Sequence, residues 1–211
     1  MPRVRVKICG IMTPEAAAAA AAAGADAIGL VFAPYRRQVT PAQAREIIIS
    51  LPPFITTVGL FVDARADEVE SVARDLCLGA VQLHGDEPPE VCEQLRRRGL
   101  RVIKAIHVAD RLAREHLVRY AAAAALLLDT RVEGLPGGTG RTFPWEVAAG
   151  LSADFRIVVA GGLTPDNVTR ALDTLRPYGV DVTSGVETAG RKDPVKICAF
   201  VDQVRAWERA G

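Results

Sequence analysis

Short apolar runs alternate with amphipathic stretches from one end of the chain to the other. Residues 4–9 read as a valine-rich strand stopped by Gly10. Further strands are predicted at 26–32, 55–62, 80–84, 101–107, 124–130, 156–160 and 180–183. Helices are predicted between them. Thr13-Pro14 opens one that runs through an alanine tract to Gly24, and Thr40-Pro41 opens one to about residue 50. Others are expected at 66–76, 88–98, within 109–123, at 144–150, from a Thr164-Pro165 cap to Arg176, and at 193–210.

That is eight strand-then-helix units with no break in composition. Such alternation demands right-handed crossovers and a parallel sheet. Eight units predict an α/β fold, a single (β/α)₈ TIM barrel occupying 1–211 as one domain, near the lower size limit of that architecture. A doubly wound open sheet is the alternative.

Composition narrows the partners. The formal charge is +1, so no bulk field favours nucleic acid or an anionic membrane, and none is expected as a partner. No run has the length and character of a membrane span, and the N-terminal residues lack the order of a signal peptide. Cys9, Cys77, Cys92 and Cys198 stand far apart, without metal-ligand or disulfide spacing. Neither metal nor disulfide is expected, and a reducing, cytoplasmic location is.

In a barrel of this kind the site forms where strands end. The sixth predicted strand ends on Asp129 and is followed by Gly137-Gly138-Thr139-Gly140. Gly161-Gly162 follow the seventh strand and Ser184-Gly185 the eighth, where a short extra helical turn is expected. Backbone N–H groups of Gly138, Thr139, Gly140, Gly161, Gly162, Ser184 and Gly185 are the expected cradle for a phosphate. Cys9 ends the first strand. It is either a small core side chain or a proton acceptor facing Asp129 across the mouth. By strand parity Lys7 and Arg5 share the face of Cys9, and Asp181 is the expected partner of Lys7 in a buried ion pair. His84, sharing a face with Gln82, is a candidate hydrogen-bonded rim histidine.

These pieces together resemble one family. Lys7-Ile8-Cys9-Gly10, Arg37-Gln38-Val39, Val81-Gln82-Leu83-His84-Gly85, Leu128-Asp129, the Gly137–Gly140 cluster, Ala160-Gly161-Gly162-Leu163-Thr164-Pro165-Asp166-Asn167-Val168 and Asp181-Val182-Thr183-Ser184-Gly185-Val186-Glu187 resemble phosphoribosylanthranilate isomerases. The resemblance implies an Amadori rearrangement in tryptophan biosynthesis without a cofactor, on a small phosphosugar–anthranilate substrate, in a monomer or homodimer. It implies Cys9 as general base and Asp129 as general acid, the latter holding a proton, with a raised pKa, when substrate binds. It implies Arg37 as the ligand of the anthranilate carboxylate, with Arg36 as the neighbouring alternative. Where relatives often carry Ser-Pro, this chain has Tyr35-Arg36, and its segment 187–193 is one residue shorter than in many of them. A bifunctional histidine/tryptophan-pathway barrel would carry an aspartate in place of Cys9. A barrel that only binds phosphate would need neither Cys9 nor Asp129.

Overall fold

Each apolar run becomes a strand of one closed, all-parallel barrel. The computed structural model describes residues 3–130 and 142–211. The strands are β1 (Arg5–Cys9), β2 (Ala27–Val31), β3 (Thr56–Phe61), β4 (Ala80–Leu83), β5 (Val102–Val108), β6 (Ala125–Thr130), β7 (Ile157–Val159) and β8 (Gly179–Val182). Strand β1 pairs with both β2 and β8, which closes the sheet and excludes the open alternative.

The helices are α1 (Pro14–Ala22), α2 (Pro41–Ile49), α3 (Ala66–Asp75), α4 (Pro89–Arg97), α5 (Arg114–Val118), α6 (Val168–Leu175) and α7 (Pro194–Ala210). The outward strand side chains, among them Val6, Ile8, Ile28, Leu30 and Leu128, merge with buried helix residues into one large apolar layer. Inward positions form two smaller clusters. One contains Ala105, Ala125, Leu127, Val158 and Ala160. The other contains Cys9, Val31, Ala33 and Leu60.

Local signals decide the helix starts that were legible. Thr13 Oγ1 accepts from Ala16 N before Pro14, and Thr40 forms a reciprocal cap with Gln43 before Pro41. The structure refines or corrects four other expectations. Thr164-Pro165 does not cap α6: the helix begins at Val168, because Asn167 spends its side chain inside the preceding turn. Its Oδ1 accepts from Thr164 N and its Nδ2 donates to Gly162 O. The short helix expected at 144–150 is 3₁₀, at Trp145–Ala148, and a second 3₁₀ turn follows at Leu151–Ala153. The helix expected within 109–123 is Arg114–Val118. Arg5 does not join Lys7 in the interior: it is exposed and pairs with Asp26 at 3.0 Å.

Candidate active site

The strand ends surround a cavity of about 610 Å³ lined by Cys9, Arg37, His84, Asp129, Gly161, Gly162, Asp181, Ser184 and Gly185, among others. Cys9 is the last residue of β1, and Asp129 stands one residue before the end of β6. Both are buried, at 3% and 8% exposure. The fold therefore brings the thiol and the carboxyl, 120 positions apart in sequence, to one mouth. Gly138, Thr139 and Gly140 lie outside the described residues.

Asp129 is held from two sides. Its Oδ1 accepts from Thr130 N at 2.8 Å, and its Oδ2 faces His84 Nε2 at 3.0 Å. Gln82 Nε2 meets His84 Nδ1 at 2.7 Å, which orients the ring and turns Nε2 toward the carboxyl. His107 stacks edge-on against His84, with ring centroids 5.4 Å apart. Burial pushes the Asp129 carboxyl up, but the His84 hydrogen bond, the charges of His84 and His107 and the Thr130 N–H outweigh it. The net shift is below the ordinary 3.8, so among these side chains Asp129 is a carboxylate; the raised value is the expectation for the substrate complex. His84 is thus more than a rim residue. Its contact with Asp129 depends on how β4 and β6 lie across the barrel, which spacing along the chain does not encode.

Gly161 explains why the carboxyl fits. Its φ of +78° suits glycine, and a Cβ there would collide with Thr130 Oγ1 and stand 2.7 Å from Asp129 Oδ1. Ser184–Val186 is a short 3₁₀ turn directly after β8, as expected. Gly161, Gly162, Ser184 and Gly185 share the rim with it.

Below Cys9, Lys7 Nζ donates to Asp181 Oδ1 at 2.9 Å, and both side chains are buried. Burial pushes the Lys7 ammonium down, but the charge of Asp181 and the nearby Cys9 more than reverse this, so the pair is ionic. Lys7 and Lys192 both interact electrostatically with Cys9, each while paired with a carboxylate, Asp181 and Glu187. Cys92 lies in α4, where burial pushes its thiol up to about 11, far from reactive form at neutral pH.

Arg37 and Arg36 separate clearly. The Arg37 side chain is 14% exposed, lines the cavity and pairs with Glu187. Arg36 is 66% exposed and reaches Glu187 only at 3.4 Å. A third polar knot, not anticipated, braces the wall. Lys104 Nζ donates to Glu87 Oε2 at 2.9 Å and Gly85 O at 2.6 Å, and Glu87 Oε1 accepts from Asp63 N at 2.9 Å and Gly85 N at 3.1 Å.

Among the described residues, one group has the spacing to hold a metal: His84, His107 and Asp129 bring one ligating atom each within 4.8 Å of the others. Two of those atoms already face each other as the His84–Asp129 hydrogen bond. No helix among the described residues is long and apolar enough to cross a membrane.

Comparison with known proteins agrees with this arrangement. Residues 6–203 match the family of N-(5'phosphoribosyl)anthranilate (PRA) isomerases. An N-(5'-phosphoribosyl)anthranilate isomerase of Pseudomonas aeruginosa is 51% identical over 212 residues, covering 99% of either chain. The crystal structure of phosphoribosyl anthranilate isomerase from Thermotoga maritima superposes with a TM-score of 0.89 at 42% identity, covering 96% of this chain and 99% of that one. Another isomerase structure, in complex with reduced 1-(o-carboxyphenylamino)-1-deoxyribulose 5-phosphate, gives 0.85 at 40% identity, covering 96% of this chain and 99% of that one. With its closed barrel, its thiol and carboxyl at one mouth and these matches along nearly its whole length, the chain belongs to the N-(5'-phosphoribosyl)anthranilate isomerase family.

Proposed function

We propose that this chain is an enzyme of tryptophan biosynthesis that converts N-(5-phosphoribosyl)anthranilate into 1-(2-carboxyphenylamino)-1-deoxyribulose 5-phosphate, with Cys9 as general base and Asp129 as general acid. The observation that carries the reading is the shared cavity: Cys9, Asp129, Arg37 and the Gly161–Gly162 rim all face one space.

The chemistry runs as an Amadori rearrangement. Asp129 gives a proton to the furanose oxygen. The C1–O bond breaks as the anilino nitrogen lone pair forms a C=N⁺ bond. The iminium makes the neighbouring C2 proton acidic, and the Cys9 thiolate removes it. The electrons move onto nitrogen, and the resulting enolamine tautomerises to the ketone. The iminium is itself the electron sink, so the reaction asks for no cofactor.

Asp129 must hold a proton when substrate is bound. Substrate supplies the means: its phosphate and carboxylate bring negative charge into the cavity, and its body expels water. Both raise a carboxyl pKa. His84 keeps the carboxyl aimed while this happens. Main-chain N–H groups near Gly161, Gly162, Ser184 and Gly185 take the phosphate, and Arg37 takes the anthranilate carboxylate. The two anchors hold the sugar between acid and base. One barrel spanning 1–211 is the working unit, as a monomer or homodimer.

The test is direct. Adding the protein to N-(5-phosphoribosyl)anthranilate should quench its fluorescence with saturation kinetics. A chain that binds product analogue but leaves the fluorescence unchanged would refute the assignment.

A further inference from the structure

Arg37 is not a free arm waiting for an anion. Its Nε donates to Glu187 Oε1 and its Nη2 to Glu187 Oε2, both at 2.7 Å. This is the paired geometry of a guanidinium and a carboxylate, and it uses one edge of the fork. Of five N–H donors, three have no partner among the described residues, two on Nη1 and one on Nη2. They form the other edge, which is the right shape for a second carboxylate.

Glu187 is itself braced. Lys192 Nζ donates to Glu187 Oε1 at 2.7 Å and to Thr183 O at 2.8 Å, and its side chain is only 4% exposed. The eighth loop is built to deliver this pair. Glu187–Thr188 (β9) and Arg191–Lys192 (β10) form a small antiparallel hairpin whose register sets Lys192 directly opposite Glu187. Its turn residues, Ala189 and Gly190, both have positive φ, as a tight hairpin of this kind requires. On the other side, the Arg37 stem lies across Gly10, where φ is +73° and a Cβ would collide with Arg37 Cδ. The loop carrying Arg37 is tied back to β2 by Val39 N donating to Val31 O at 2.9 Å.

Arg37 and Lys192, with the more distant and exposed Arg36, outnumber the single carboxylate between them. Burial pushes the Glu187 carboxyl up, yet Arg37 and Lys192 hold it below its ordinary value, so it is ionised. A net positive charge is left beside the cavity with its direction fixed.

We propose that Glu187, braced by Lys192 on the β9–β10 hairpin, is the positioning residue that aims the open edge of Arg37 and so makes the site selective for substrates bearing a carboxylate on the aromatic ring. This rests on the assignment of Arg37 to the anthranilate carboxylate. Glu187 stands at the end of a motif that the sequence singled out, but no role was legible for it there, because its partner lies 150 positions away.

Two probes separate the contributions: reduced 1-(2-carboxyphenylamino)-1-deoxyribulose 5-phosphate, and the same molecule without the ring carboxylate. In the unaltered protein the carboxylated probe should bind roughly 10- to 100-fold more tightly, the range of a charge-assisted pair. Glu187→Gln should reduce that ratio to less than about threefold, with the carboxylate-free probe unaffected because the phosphate holds it. Glu187→Asp keeps the charge but withdraws the carboxylate by one methylene, and should also collapse the ratio, which a role as mere countercharge would not predict. A wild-type ratio in both variants overturns the proposal. So does tighter binding of the carboxylated probe to Glu187→Gln, since Glu187 would then be a competitor for Arg37. If Arg37→Ala itself leaves the ratio unchanged, the underlying assignment of Arg37 fails, and the proposal with it.

Discussion

The Lys104–Glu87 pair gives the sharpest energetic prediction, because it is almost completely removed from water. Both side chains are 2% exposed. Lys104→Met keeps the apolar stem and deletes only the ammonium. Glu87 then keeps its contacts with Asp63 N and Gly85 N but loses its countercharge. Gly85 O loses its 2.6 Å donor. Removing one partner of a buried pair costs about 3–5 kcal/mol. In a domain of this length each kcal/mol lowers Tm by about 2–4 °C, so the expected drop is about 6–20 °C. The double variant Lys104→Met/Glu87→Gln removes both charges and leaves an amide oxygen for the two backbone donors. It should recover at least about half of the loss, a non-additivity expected only of coupled groups. Urea titration of the four proteins measures the cycle. Because Lys104 also supports the loop that follows His84, kcat should fall in the single variant as well. A loss below about 1 kcal/mol for Lys104→Met, or strict additivity in the double variant, would refute the buried-pair reasoning.

Other expectations follow from single contacts. Arg37→Ala should raise KM for the isomerase substrate at least about tenfold, while Arg36→Ala should change it less than about twofold, since Arg36 is largely exposed and weakly paired; steady-state kinetics of both variants decides, and a larger effect at Arg36 would reassign the carboxylate ligand. Gly161→Ala should cost about 2–4 kcal/mol, combining a left-handed backbone with overpacking against Asp129 and Thr130, and should depress kcat by displacing the acid; denaturant unfolding with a paired activity assay would show a neutral outcome at once. Asp129 has a lowered folded pKa, so its contribution to stability is present above the ordinary 3.8 and is lost as pH falls through the lower folded value. The stability difference between the parent protein and Asp129→Asn should therefore shrink below about pH 4; a difference that grows on acidification below that point would reverse the sign of the argument.

How much of this was visible in the chain depends on distance along it. Strand positions were legible because a buried parallel strand must be apolar on both faces, and β6 is the clearest case. The starts of α1 and α2 were legible because a threonine followed by proline is a local signal. Asn167 took the turn before α6 by bonding to Gly162 and Thr164, a choice that Thr164-Pro165 concealed. Lys7–Asp181 could be foreseen, since the closing strands β1 and β8 must be neighbours and parity fixes the face. His84–Asp129, Lys104–Glu87 and Arg37–Glu187 could not, because each joins groups whose proximity is set by barrel stagger and loop shape. The lowered pKa of Asp129 was not legible for the same reason: burial was foreseeable, but the two histidines facing it were not.

The central claim is that a thiol on β1 and a carboxyl on β6 transfer protons to and from one sugar. Single-turnover kinetics of Cys9→Ser and Asp129→Asn, each paired with the dissociation constant of the reduced product analogue, test it most directly. Each substitution should slow the chemical step by at least about a hundredfold, the lower range for loss of a general acid or base, with the analogue bound within about threefold of the parent protein. Either variant turning over at the parent rate while binding normally would contradict the account.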